Sequence, residues 1–221
     1  MPKNLPASLL AAVWLAMAGA AHATPAGHVA ALSGTLLAVK QDGRTRVLGV
    51  GSSIEAGDTL MTDSASTAHL RFSDGGSVQV RADSQFRIER YDFAQGEPGG
   101  DSAIMVLIRG GLRAVTGLIG KRGRAAAYSM RAPNATIGIR GTDFGLQQCV
   151  AGSCAGKKTV GGAPLADGLH VEVSDGTIVV GNDAGSVEVS AGGFAYVGTG
   201  APLVVSDGYR APGSGVECVL D

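Results

Sequence analysis

The chain has 221 residues, a formal net charge of −1, 45% hydrophobic residues, 5% aromatic residues and 35 glycines. The hydrophobic share is too high for a disordered chain, and the near-neutral balance argues against a nucleic-acid or other general polyanion binder. Glycine at this level without a collagen period implies tight turns and closely approaching backbones.

Lys3 supplies a short positive start. Leu9 to Ala21 is apolar, and Ala21-His22-Ala23 follows the A-x-A cleavage pattern. Residues 1–23 therefore read as a secretory signal peptide, with the mature chain starting near Thr24 in the periplasm or outside the cell. The apolar run is shorter than the ~20 residues of a membrane span, and no later stretch is apolar enough to be one. Roughly 200 residues remain, enough for one large domain or two small ones.

Next come strands and turns. Leu36–Val39 and Thr45–Leu48 flank Asp42-Gly43, a hairpin signal. Ala68–Phe72 alternates, turns at Ser73-Asp74-Gly75-Gly76, and alternates back through Ser77–Arg81. Phe86-Arg87-Ile88 continues the alternation. Glu97–Gly100 is a loop. Ala103–Arg109 is a near-continuous apolar run, as in a strand buried on both faces. No amphipathic helix is visible. Between Asp101 and Asp143 the sequence has no acidic residue but holds Arg109, Arg113, Lys121, Arg122, Arg124, Arg131 and Arg140. Lys121 to Arg124 fall in a glycine-rich loop. A cationic loop on a neutral protein fits an acidic protein surface or an anionic envelope polymer; the same charges also suit a solvated loop guarding a sheet edge.

Pro133-Asn134 marks a turn. From Ala135 to Phe144, β-branched and aromatic residues mix with small ones, as in a strand packed closely on another backbone. Arg140 interrupts this apolar stretch. Burying an unpaired guanidinium is costly, so Arg140 reads as a paired anchor that holds the strand.

The stretch Pro133, Ala135, Ile137, Ile139, Arg140, Gly141, Thr142 and Phe144 resembles the signature of the FecR-type periplasmic domain family. The resemblance extends to Ala56–Thr62, to Ala68–Gly75, and to Gly110–Arg113 with Thr116-Gly117. It covers roughly Gly34 to Phe144. It implies an all-β fold of stacked antiparallel sheets, a β-sandwich or a short β-roll, with Arg140, Gly141, Thr142 and Phe144 as its structural motif. In the sensing branch of that family the domain is the periplasmic part of a transmembrane anti-sigma regulator, which contacts the signalling domain of an outer-membrane receptor. This chain begins instead with a cleavable signal, so a periplasmic or secreted binding role is expected of it.

The FecR-type β-domain is expected over residues 24–148. Residues 149–221 form a hairpin extension and a tail. Leu169–Val173, Thr177–Val180 and Ser186–Val189 are its strands, and after Val205 the pattern becomes loop-like, as in a mobile tail. Val171–Gly176 weakly repeats Leu70–Gly75, and Ser206-Asp207-Gly208 is a poorer copy. Cys149 and Cys154 are expected to close a small disulfide loop. The alternative pairs one of them with Cys218.

Catalytic patterns are weak. Gly152-Ser153-Cys154-Ala155-Gly156 matches a nucleophile elbow, but no helix follows it. His69 and His170 show no ligand spacing to the cysteines, and no cofactor motif is complete. The sequence thus reads as an exported, non-catalytic β-domain that binds another envelope component, with Arg109, Arg113, Lys121, Arg122 and Arg124 as partner-binding candidates and a possible place in envelope signalling. The alternatives are a carbohydrate-binding or cell-wall-associated module, which clustered Tyr or Trp would favour, and a hydrolase using Cys154.

Overall fold

A computed structural model of the chain describes residues 25–96, 99–122 and 127–212. The expected signal peptide, Arg124 and Cys218 lie outside them. The described chain forms β1 (Gly27–Ser33), β2 (Leu36–Val39), β3 (Thr45–Leu48), β4 (Ser53–Ile54), β5 (Thr59–Thr62), β6 (Thr67–Phe72), β7 (Ser77–Val80), β8 (Gln85–Asp92) and β9 (Ser102–Val115). A one-turn helix α1 (Leu118–Arg122) follows. The rest is β10 (Tyr128–Ala132), β11 (Ala135–Ile139), β12 (Asp143–Cys149), β13 (Gly168–Asp175), β14 (Thr177–Asn182), β15 (Gly185–Ser190), β16 (Phe194–Val197) and β17 (Leu203–Val205). Strand makes up 54% of the described residues and helix 3%, so the fold is all-β, as the sequence implies.

The strands form two layers. The front layer runs β4-β1-β6-β7-β9-β12-β13-β16-β17. The back layer runs β3-β2-β5-β8-β9-β10-β11-β14-β15. β9 belongs to both. Its first half pairs with β8 and β10, it bends at Gly110-Gly111, and its second half pairs with β7 and β12. All pairings are antiparallel except β9 with β10.

Alternation explains the layering. Successive side chains on a strand point to opposite faces. One set from each layer faces inward, and these sets close a single core that includes Phe86, Met105, Leu107 and Ile137 from the back and Leu70, Leu112, Phe144 and Val171 from the front. Fully burying each large apolar side chain contributes about 1.5–3 kcal/mol. β9 differs from expectation here. Ala103, Met105 and Leu107 are buried, but Ile104, Val106 and Ile108 are only half-buried. An ion-pair arch, Arg87–Glu89–Arg131, joins β8 to β10 on either side of β9.

The stretch from Ala135 to Phe144 is not one strand. β11 ends at Ile139 in the back layer, the chain turns at Arg140-Gly141, and β12 begins at Asp143 in the front layer. Gly141 takes φ +64°, a conformation a side chain makes costly. The segment after Val205 also departs from expectation. The backbone N–H of Val160 donates to Gly208 (2.8 Å), Asp207 accepts from Thr159 and Gly161, and Arg210 pairs with Glu172, so residues 206–212 are docked on the front layer. β12 and β13 pair over seven residues, from Cys149↔Gly168 to Asp143↔Asp175. The 149–167 excursion therefore leaves and re-enters one continuous sheet.

Candidate functional site

The Arg140-Gly141-Thr142 motif forms the corner where the chain changes layers, and its rigidity comes from Thr142 and its glycine neighbours. Thr142 N–H donates to Thr116 Oγ1 (2.8 Å), while Thr116 N–H (3.0 Å) and its hydroxyl (3.1 Å) both donate to the Thr142 carbonyl. The end of β9 and the corner are thereby locked together. Gly176 closes the other side, where an added Cβ would sit 2.7 Å from Thr142 Cγ2 and 2.9 Å from the Gly141 carbonyl oxygen. Phe144 is fully buried below.

α1 is braced against this corner by Asp74, a buried carboxylate on the β6–β7 turn. It accepts from Gly76 N–H (3.0 Å) and from Ile119 N–H (3.2 Å), and its carbonyl accepts from Leu118 N–H (2.9 Å). This interaction places Lys121 and Arg122 on the end of a helical turn, where the sequence suggests a loop. Capping by a residue 45 positions upstream is invisible to local pattern.

Arg140 itself is exposed, and no ion pair involves it among the described residues. This corrects the buried-anchor reading. The turn at Gly141 points the residue before it out of the core, so its charge needs no internal partner. Arg140 flanks a shallow depression of about 560 Å³, with Gly138 in its floor and Thr177, Val179 and Glu188 around it. Gly138, Val179 and Glu188 lie in one cross-strand row of the back layer. Lys121 is also exposed, with its Cγ 3.6 Å from where a Gly141 Cβ would be. The lysine stem thus lies over the same corner.

The other cationic candidates behave differently. Arg113 is half-buried and pairs bidentately with Asp143 (Nε–Oδ1 2.9 Å, Nη2–Oδ2 2.6 Å), which holds its pKa above the ordinary arginine value. Arg122 reaches Asp101 (3.4 Å) and lies over the Phe93 ring. Three cations of the run without acids, Arg113, Arg122 and Arg131, are therefore paired in space with Asp143, Asp101 and Glu89, which stand at or beyond its ends. Arg109 is exposed, away from the corner at the β9 bend.

Cys149 and Cys154 form the expected disulfide, with Cα atoms 5.4 Å apart. Cys154 is buried and its sulfur is committed, which removes the Cys-nucleophile alternative. His69 is exposed on β6. His170 is buried against Tyr196 and hydrogen-bonded to the Ala166 carbonyl, and burial holds its pKa below the usual histidine value. Tyr128 is buried, Tyr91 bonds Ser73 and the Asp74 N–H, and Tyr196 donates to the Asp167 carbonyl. No exposed aromatic platform of the kind a sugar-binding face uses is present among the described residues. Groups of three or more metal-ligating side chains are likewise absent among them. None of the described helices is long and apolar enough to cross a membrane.

The sequence profile of the FecR protein family matches residues 58–179, more than half of the chain, and the chain belongs to that family. The match includes Asp74, Thr116 and the whole Arg140-Gly141-Thr142 corner. No curated protein matches the chain significantly. Two crystal structures of a candidate anti-sigma factor from Parabacteroides distasonis ATCC 8503 are similar over 66% of this chain, at 15% and 14% identity and TM-scores of 0.46 and 0.45. The matched part spans 58% and 57% of those chains, less than two thirds of their length.

Proposed function

We propose that this protein is an exported, non-catalytic β-domain of the cell envelope that docks another envelope component, a protein or an anionic polymer, through the Arg140 depression and Lys121, and so takes part in envelope signalling. The observation that carries this reading is Arg140, which stands exposed beside a glycine-floored depression on a corner whose own bonds do not use it. An exposed charge on a rigid corner costs little in stability and is free for recognition. Val179 is 46% exposed in the same depression and supplies apolar surface beside the Arg140 and Glu188 charges. Interfaces commonly combine an apolar centre, a polar rim and an anchoring arginine. Membership of the FecR family supports an envelope role. In this reading residues 1–23 are removed on export, residues 24–148 are the family domain, and residues 149–221 extend it. N-terminal sequencing of exported protein then starts at or within a residue or two of Thr24.

The test is capture from solubilised envelope fractions on immobilised mature protein. Arg140→Glu and Lys121→Glu should melt like wild type and lose the captured component. Arg90→Glu, which alters an exposed pair with Asp92, should retain it. Equal capture by wild type and both corner variants would reject the docking surface.

A further inference from the structure

A second surface lies at the opposite end of the back layer from the Arg140 depression, and its reading does not depend on the docking proposal. β3 closes that end and pairs only with β2 among the described strands. The Lys40 N–H donates to the Arg44 carbonyl (2.9 Å), so the bonding groups of Arg44 face β2. Bonded and non-bonded pairs alternate along an antiparallel ladder. Arg46 and Leu48 therefore bond to β2, while Thr45 and Val47 turn their N–H and C=O groups away from the sheet.

The side chains beside this edge are apolar. Val47 is 76% exposed, and Val50 on the following turn is 67% exposed. Val47 stands across from Leu37 on β2, and Leu37 across from Met61 on β5. A row of three apolar side chains thus crosses the outer face to the edge, and Leu37 and Met61 are only half-buried. The charges nearby cancel within the chain. Lys40 pairs with Glu55 (2.8 Å) and Asp58 (3.0 Å), Arg44 with Asp42 (2.7 Å), and Arg46 with Asp58 (2.7 Å). The three cations meet three carboxylates and leave this edge without net charge.

Exposed strand edges are normally guarded by shortness, charge, proline or a bulge. The other layer ends follow that rule. β4 has two residues and β17 three. β15 exposes Ser186, Glu188 and Ser190 on its outer side. β3 has none of these guards at its centre: its register with β2 is unbroken, it contains no proline, and a valine stands where a charge would block pairing. Its inward-facing charge, Arg46, is already held by Asp58.

We infer that β3 is a homodimer edge, to which a second copy of this chain adds its own β3 in antiparallel register, with the two-fold axis at Val47. The edge is self-complementary in that register. Val47 exchanges both of its backbone bonds with Val47 of the second copy, as a two-fold contact requires. The Met61–Leu37–Val47 row then continues without a break into the same three residues of the other copy. A valine on the axis means that no charge meets its own like, and the balanced ion pairs on either side do not repel. The Arg140 depression, floored by β11 and β14 at the far end of the layer, stays uncovered.

Sedimentation velocity of the mature protein at increasing concentration tests the edge. Wild type should pass from monomer to dimer. Val47→Lys should stay monomeric and melt like dilute wild type, since the side chain is already in solvent. Leu203→Lys, the same kind of change on the exposed β17 edge, should dimerise as wild type does. The register has its own test. Residues opposed in a bonded antiparallel pair have Cα atoms about 5.5 Å apart, within the span of a disulfide. Oxidation of Val47→Cys should therefore give a dimer whose peptide map joins residue 47 to residue 47. Val50→Cys, similarly exposed but off the axis, should crosslink far more slowly. A wild type that stays monomeric would leave the edge to another protein's strand and overturn the inference. A dimer that survives Val47→Lys, or equal crosslinking of Val47→Cys and Val50→Cys, would overturn it as well.

Discussion

The two Ser-Asp-Gly turns, at residues 73–75 and 174–176, look alike in sequence and do different work. In the first, the aspartate is the working residue. Asp74 is buried, ties the β6–β7 hairpin to α1, and bonds both Gly76 and Ile119. Gly75 takes φ +82°, but nothing lies within 4 Å of where its Cβ would be. In the second, the glycine is the working residue. Gly176 takes φ +79° at the passage from front to back layer and packs on Thr142, while Asp175 is exposed. The tripeptide supplies a tight turn in both places, and the neighbouring backbone decides which of its residues matters. A sequence repeat therefore need not carry a repeated role.

Substitutions can break this contrast. The largest effect is expected at Asp74→Ala, which strands two backbone donors at about 1–3 kcal/mol each. Asp175→Ala should stay within about 0.5 kcal/mol of wild type, as exposed substitutions usually do. Denaturant melts of the pair decide the point, and equal losses would mean that the turns are equivalent after all. Next comes Gly176→Ala, which combines about 1–2 kcal/mol of left-handed backbone cost with about 1–3 kcal/mol of overpacking against Thr142. Gly75→Ala should carry the backbone cost only.

The corner that Gly176 closes sharpens the comparison further. The Thr116 hydroxyl accepts from Thr142 N–H and donates to the Thr142 carbonyl, whereas the buried Thr142 hydroxyl has no partner among the described residues. Thr116→Val should cost about 1–3 kcal/mol by leaving a buried N–H unmet. Thr142→Val replaces an unpaired buried hydroxyl with a methyl group and should be neutral or stabilising. Comparable losses in the two variants would show that the Thr142 hydroxyl has a role in holding the corner.

A smaller effect concerns His170, on the strand that leads into the second turn. Burial lowers its folded pKa below the unfolded value of about 6.5, so the unfolded chain binds its proton more readily. Stability is full above that pH and falls as the pH drops through it toward the folded pKa. Melts at pH 8 and pH 5.5 should show a smaller loss in His170→Gln than in wild type.

Much of the fold is legible in the sequence because hairpins announce themselves locally. Asp42-Gly43 and Ser73–Gly76 sit between alternating runs, and both become the turns those runs imply. β1, β10 and β16 carry weaker signals and find their places through distant partners, such as β1 with β6 and β10 with β9. The Arg140 region shows the limit most clearly. The apolar run from Ala135 to Phe144 spans two layers, and a corner at a positive-φ glycine cannot be told from a continuous strand by pattern alone. Arg140 then looks enclosed in sequence while it is exposed in space. The cationic run misleads in the same way, because the acids that neutralise Arg113 and Arg122 stand 30 and 21 residues away.

The central claim is that Thr116, Thr142 and Gly176 hold the corner while Arg140 faces outward for recognition. The most direct measurement pairs the thermal unfolding of Arg140→Ala with its capture of envelope components. The account predicts a stability within about 0.5 kcal/mol of wild type together with loss of the captured component. A loss of about 3–5 kcal/mol, the cost of breaking a buried ion pair, would contradict it and return Arg140 to the role of a structural anchor.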